Sequence, residues 1–171
     1  MSGLKYRVNF GPDISVGRWG RFIGAQTNAR KGGDAQALNL NGFGFNWTLE
    51  NIVSYNKTFS NKHNLGVTLV QSIQRDRGEN FGTNVQGVPV ESQQFYNMGN
   101  ASSILQTVSG LTQWTISSFL GRINYDFNDK YLVTMTLRRD GSSRFGENTK
   151  WGNFPGVAVG WNISNEPFLK G

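Results

Sequence analysis

The residue types that usually carry catalysis are sparse in this sequence. His63 is the single histidine and lies in the polar stretch "SNKHN", so we expect a solvated turn residue rather than a base or a metal ligand. No cysteine is present, which excludes disulfides, thiolate metal sites and cysteine nucleophiles. The eleven carboxylates lie mostly in predicted turns and loops and lack the spacing of a calcium loop. We therefore expect no enzyme, no metal site and no cofactor.

Charged side chains are the next candidates for a functional site. Arg122 and Arg138 lie on adjacent predicted strands, with Asp126 as a candidate ion-pair partner, and Lys5 and Arg7 lie on the first strand. On one face of a sheet these residues would form a charged wall. The alternative is ordinary electrostatics, in which arginine side chains fill space and bond their neighbours.

A second set of candidates is aromatic and lies in or beside long predicted loops. Such rings could stack on sugars, or they could be packing anchors that hold the loops against one another. The five residues are Trp19, Phe22, Phe95, Tyr96 and Trp114.

Strands with a period of two position these side chains. In "YDFNDKYLVTMTLRRDGSSRFG", which begins at Tyr125, six apolar residues occupy odd positions and mostly polar residues stand between them. The six are Tyr125, Phe127, Tyr131, Val133, Met135 and Leu137. This alternation is typical of a strand with one apolar and one polar face. The whole sequence predicts strands near 3–12, 42–59, 64–74, 114–127, 131–139 and 154–164, and long loops at 13–41, 75–113 and 140–152.

Composition agrees with an all-β protein of antiparallel, up-and-down strands. The chain has 171 residues, 22 of them glycine, with 13% aromatic and only 16% charged residues. The net charge of +6 raises a nucleic-acid-binding barrel as a third possibility, but the basic residues are scattered, so we expect no nucleic acid partner. No apolar run approaches the ~18 residues of a membrane helix. The N-terminus lacks a signal peptide, so the chain is either cytoplasmic or a piece of a longer precursor.

Loop lengths suggest that the apolar face meets lipid. Every long predicted connection falls at one end of the sheet and every short turn at the other, as in outer-membrane barrels. Aromatic residues concentrate near the short turns, where rings would sit at a membrane interface. The alternative is a soluble β-sandwich that binds carbohydrate through exposed aromatics. The predicted lipid-facing or interface residues are Tyr55, Phe59, Phe119, Tyr125, Phe127, Tyr131, Val133, Val157 and Trp161.

Several short motifs in a fixed order resemble a known family. They are the Gly-Arg-x-Asn-Tyr run from Gly121, Tyr131 with Leu132, "DGSSRF" from Asp140, Trp-Gly-x-Phe-Pro from Trp151, and Gly160 with Trp161. This order is similar to that of the TonB-dependent outer-membrane receptors of the SusC/RagA type from Bacteroidetes. "NIVSYNKTFSNKHNLGVTLVQS" also resembles a barrel hairpin of that family.

The resemblance implies that residues 1–171 are a barrel segment of an importer for oligosaccharides or peptides. It implies a place in the cell outer membrane, in contact with its lipid, energy from TonB, and a SusD-like lipoprotein as partner. Lys5, Arg7, Arg122, Asp126 and Arg138 would then face the lumen, toward the plug or the solute path. Such receptors carry a plug, a TonB-box and about 22 barrel strands. Neither plug nor TonB-box is visible here, so we expect a partial transmembrane β-barrel that does not transport alone.

Overall fold

The structure, a computed structural model, describes residues 3–169. Its six strands are long, and 3-10 turns occupy some of the connections. None of the helical turns among these residues is long or apolar enough to cross a membrane. The strands are β1 (Leu4–Ile23), β2 (Gln36–Phe59), β3 (His63–Gln86), β4 (Ser103–Phe127), β5 (Tyr131–Ser142) and β6 (Trp151–Trp161).

The strands form one open antiparallel sheet in the order of the chain, β1 to β6. Each strand therefore pairs with its neighbours in sequence, and β1 and β6 are the sheet edges. This confirms the predicted fold class. It argues against the β-sandwich, which requires two sheets packed face to face.

The predicted strand ends were wrong where strands continue into regions that we expected to be loops. β1 runs to Ile23 and β2 begins at Gln36, so only a short part of 13–41 is a connection. Likewise, β3 and β4 take up both ends of the predicted loop 75–113. The third loop shrinks from 140–152 to 143–150. The prediction ended β1 at Pro12, although Ile14 and Val16 continue the even-numbered apolar positions beyond it. A proline is tolerated within β1 because this strand lies at the edge of the sheet.

Connections of three residues, Ser60–Lys62 and Asn128–Lys130, close the hairpins β2–β3 and β4–β5. Ser60 and Asn61 have φ of 49° and 54°, and Asn128 and Asp129 have φ of 57° and 55°. In each turn the residue after the pair donates its N–H to the carbonyl before it, at 3.1 Å and 3.0 Å. Two positive φ values with this bond define a type I′ turn, whose twist matches that of the flanking strands.

The chain divides into two compact units. The first, called the hairpin unit, combines residues up to Pro12 with Trp47–Arg75 and the chain from Trp114 onward. It contains both type I′ turns and all of β5 and β6. The second, called the loop unit, consists of Asp13–Asn46 and Asp76–Gln113. It has a small apolar core of Ala35, Ala37, Val85 and Val88.

Candidate functional site

The hairpin unit has two faces of different character. The first, the polar face, carries the odd positions of β1 and the even positions of β2–β6, because successive side chains on a strand point to opposite sides. All five charged residues predicted to share a wall have the parity of this face. Contacts between strands support the assignment: Asn9 Nδ2 donates to Glu50 Oε2 at 3.0 Å, and Thr134 Oγ1 donates to Asn124 Oδ1 at 2.9 Å.

The expected pairing of Asp126 with Arg122 or Arg138 is wrong. Asp126 Oδ1 accepts hydrogen bonds from Asn64 Nδ2 at 3.1 Å and from the Asp129 N–H at 3.0 Å, so this carboxylate organises the β4–β5 turn. Arg138 Nε instead bonds both carboxylate oxygens of Asp140, at 2.9 Å and 2.8 Å. These two residues are two apart on β5 and share its polar face, so their pairing is local.

Cations on the polar face outnumber their ion-pair partners. Lys5, Arg7 and Arg122 are exposed, and within residues 3–169 none of them forms a salt bridge. In the same range, no group of three histidine or carboxylate side chains is placed to hold a metal ion. The arrangement can attract and orient anionic groups, and it offers a lining of hydrogen-bonding side chains.

The opposite face, called the apolar face, carries the even positions of β1 and the odd positions of β2–β6 within the hairpin unit. Its rows follow from the register: Ile123, Met135 and Val157 lie side by side. The side chains project freely, with Val157 72% and Val159 80% exposed. An apolar face of this extent left in contact with water would be an aggregation hazard, whereas lipid would cover it. All nine predicted lipid-facing or interface residues have the parity of this face.

Polar groups on the apolar face bond one another. Asn51 Nδ2 donates to Gln71 Oε1 at 2.7 Å, and the Tyr6 hydroxyl donates to Asn51 Oδ1 at 2.7 Å. Three strands, β1, β2 and β3, thereby exchange side-chain hydrogen bonds. Such mutual satisfaction is what a polar side chain requires where water is absent.

Aromatic residues near the short turns form a connected row, and His63 belongs to it. The expectation that His63 is a solvated turn residue is wrong, because it begins β3 and is partly buried. Its Nδ1 lies 2.6 Å from the Tyr125 hydroxyl, and its ring centroid lies 4.9 Å from that of Phe127. Phe127 in turn stacks on Tyr131 with centroids 6.3 Å apart.

Glu166 is a residue that the sequence did not single out. It lies between two 3-10 turns after β6 and is only 7% exposed. Its carboxylate accepts hydrogen bonds from Lys130 Nζ at 2.8 Å, the Tyr131 hydroxyl at 2.8 Å and Trp161 Nε1 at 3.1 Å. Donation by Lys130, then by Tyr131 and Trp161, lowers the pKa of Glu166 to about 2. The chain after β6 is thereby tied to the start of β5.

The predicted loop aromatics separate into different environments. In the loop unit, Phe22 and Phe95 pack against the small apolar core, which favours their role as anchors. Trp19 and Tyr96 are 51% and 71% exposed, and the Arg18 guanidinium lies 4.8 Å from the Tyr96 ring centroid. In the hairpin unit, the Arg144 guanidinium lies 4.9 Å from the centroid of the last aromatic, Trp114.

Comparison with known proteins identifies the family. No protein-family model matches the chain. Over 170 aligned residues the chain is 31% identical to TonB-dependent receptor P3 of Formosa agariphila. This alignment covers 99% of the chain and 17% of that receptor. It is also 51% identical over 59 residues, 34% of the chain and 6% of the relative, to the TonB-dependent receptor SusC of Bacteroides thetaiotaomicron. The chain belongs to the SusC/RagA-type TonB-dependent receptors. TonB-dependent receptor P39 of Formosa agariphila is 43% identical over 121 residues, which is 71% of the chain and 12% of that receptor.

Solved structures share the fold of this receptor segment. The RagAB peptide transporter superposes on the whole chain with a TM-score of 0.90 at 19% identity, and the chain covers 19% of the transporter chain. The RagAB peptide importer in its closed-closed state gives a TM-score of 0.91 at 18% identity, again over 100% of the chain and 19% of the importer chain. The segment spans less than a fifth of the length of each of these relatives.

Proposed function

We propose that this chain is part of the barrel wall of an outer-membrane receptor that imports oligosaccharides or peptides. In this proposal residues 1–171 all belong to the barrel domain, TonB supplies the energy, and a SusD-like lipoprotein presents the substrate. The observation that carries the proposal is the 31% identity to a TonB-dependent receptor over 99% of the chain. The related receptors and transporters also favour binding and passage of a solute over an enzymatic reaction.

The two faces of the hairpin unit support this role. The apolar face suits contact with lipid, and the polar face suits a water-filled lumen. Lys5, Arg7, Arg122, Asp126 and Arg138 would line that lumen. Among the aromatics, Trp19 and Tyr96 keep enough exposed ring surface to contact a substrate, whereas Phe22 and Phe95 are largely committed to packing.

Neighbouring residues of β4 provide a direct test of the two faces. Arg122 lies on the polar face and Ile123 on the apolar face, and this segment contains no cysteine that would react in the background. In an intact receptor carrying this segment and otherwise free of reactive cysteine, we expect Arg122→Cys to react with a small, charged thiol reagent. Ile123→Cys should react only with a lipid-soluble reagent. Equal reaction of both positions with the charged reagent would contradict a lipid-covered face.

Uptake experiments test the substrate and the partners. Cells that lack the receptor should lose growth on either an oligosaccharide mixture or a peptide mixture as sole carbon source, and the intact receptor should restore it. Purification of the intact receptor should recover a lipoprotein of the SusD type. Restoration on neither mixture would contradict the import role, and restoration without TonB would contradict its energy source.

A further inference from the structure

A groove crosses the apolar face between β3 and β5. One cavity of about 490 Å³ is lined by Val53, Leu69, Phe119 and Leu137 among other residues, with Arg139 at its margin. A second cavity of about 290 Å³ shares Leu69, Gly121 and Leu137 with the first and extends to Ile123 and Met135. Since these residues are common to both, the cavities form one continuous apolar groove along β4. Gly121 forms its floor.

Packing within the chain does not require a glycine at position 121. A Cβ added there would meet a single side-chain atom, Leu69 Cδ2, at an ordinary contact distance of 3.6 Å. Gly141 on the same face is different, because a Cβ there would lie 2.8 Å from the Trp151 ring. Glycine weakens a strand interior and often marks a place where a ligand approaches closely. The space above Gly121 therefore suits a molecule outside this chain.

Arg139 is held at one end of this groove. It lies opposite Phe119 on β4, and its guanidinium carbon lies 5.0 Å from the centroid of the Trp151 ring. Trp151 is itself 6.2 Å from Phe119, measured between ring centroids. The aromatic pair thus supports an exposed guanidinium beside an apolar channel. Along β5, Arg139 lies toward the long connection and away from the type I′ turn, which is the external end in outer-membrane barrels.

Charge is segregated between the two faces. By parity, the strand residues on the apolar face of the hairpin unit include three cations, Lys57, Arg75 and Arg139. Within residues 3–169, the carboxylates on strands of this unit all lie on the polar face, so the apolar face is complementary to an anionic ligand. These carboxylates are Glu50, Asp126 and Asp140.

We propose that the groove over Gly121 binds one acyl chain of a phosphorylated lipid from the external leaflet, with its phosphate paired to Arg139. This inference rests on the proposed function, since it requires the apolar face to lie in the outer membrane. The acyl chain fills the space that glycine leaves open, and the guanidinium forms charge-assisted hydrogen bonds to phosphate oxygens. The bound lipid would cover the depression that Gly121 leaves on the apolar face over β4.

The test measures lipid retention by the intact receptor. The purified receptor is incubated with bisphosphorylated lipid A or with its dephosphorylated counterpart, and retained lipid is counted by native mass spectrometry. We expect Gly121→Leu, which fills the groove, and Arg139→Gln each to retain one fewer lipid A molecule, with binding at that site weaker by about tenfold or more. Arg139→Lys should restore part of the retention. Lys57→Gln removes a cation from the same face near the other end and should match the wild type.

The outcomes separate this inference from the proposed function. Unchanged lipid A retention in both Gly121→Leu and Arg139→Gln would overturn the groove as a lipid site. Equal retention of dephosphorylated lipid would overturn the pairing with phosphate. A receptor that is absent from the outer-membrane fraction of cells would instead overturn the proposed function. Arg139→Gln adds no volume, so it remains informative if Gly121→Leu fails to fold.

Discussion

Placing a charge at the centre of the apolar face should destabilise the receptor strongly. Val157 lies in the row with Ile123 and Met135, midway between the rows that contain Trp161 and Asn153. It is four residues from each, or about 14 Å along a strand that rises about 3.4 Å per residue. The eight steps from Asn153 to Trp161 span about 27 Å along the strand, or about 21 Å along the membrane normal at a tilt of about 40°, which fits within the ~25 Å apolar band of a membrane barrel. In the proposed membrane placement, Val157 is therefore near the bilayer midplane.

From this depth we expect Val157→Arg to lower the free energy of unfolding by about 2–4 kcal/mol. Two matched substitutions distinguish the effect of depth in the membrane from the effect of the sheet face. Asn153→Arg, on the same face near the interface, should cost about 0–1 kcal/mol. Ala158→Arg, the adjacent residue on the polar face, should cost little because its side chain meets water. If the apolar face met water instead, all three substitutions would stay within about 0.5 kcal/mol of the wild type.

The measurement is a urea titration of the intact receptor folded into phospholipid vesicles, followed by tryptophan fluorescence and by gel mobility. We expect Val157→Arg to lower the free energy of unfolding more than either Asn153→Arg or Ala158→Arg, by at least about 1 kcal/mol. A cost at Val157 no larger than the cost at Ala158 would refute the assignment of the two faces.

Three further predictions concern individual contacts. Because the pKa of Glu166 is lowered from 4.5 to about 2, its contribution to stability is complete above about pH 4.5 and is lost as the pH falls toward 2. Glu166→Gln should reduce this part of the pH dependence in thermal melts of the intact receptor, and an unchanged profile would contradict it. Gln71→Leu should cost about 1–3 kcal/mol in urea titration by leaving Asn51 Nδ2 without its acceptor, and a cost within about 0.5 kcal/mol of the wild type would contradict this. Val85→Ala removes two buried methyl groups and should cost about 2 kcal/mol, speeding limited proteolysis of the loop unit, while Val16→Ala at a 79% exposed site should not.

The sequence predicted best where the two faces of a strand have different surroundings. In β5, Val133 and Met135 alternate with Thr134 and Thr136, and the register confirms that they lie on opposite faces. The outer part of β1 was harder to predict, because Pro12 precedes Ile14 and Val16, and the residues that follow are rich in glycine and arginine. A proline is tolerated within this strand because β1 is a sheet edge, which only the strand order reveals.

Contacts between residues far apart in the sequence were harder to predict. Glu166 follows β6 in a short polar segment, and nothing nearby indicates that Lys130 and Tyr131 approach it. The pair of Arg138 and Asp140 is local instead, because their spacing of two on β5 places both side chains on one face. The polar neighbours of His63 suggest a turn, yet the connection is only three residues long, so His63 is the first residue of β3.

The two type I′ turns restrict where the length of such a chain can change during evolution. If the turn keeps its length, one residue inserted at Asn128 or Asp129 shifts the pairing of β4 with β5 by one and exchanges the faces of every later side chain. Arg138 would then lie on the apolar face and Val133 on the polar face. The turns are also joined, since the Asn128 N–H donates to the Lys62 carbonyl at 2.6 Å. Insertions and deletions are therefore expected in the long connections, such as residues 24–35, and new specificities should arise there while the short turns keep a fixed length.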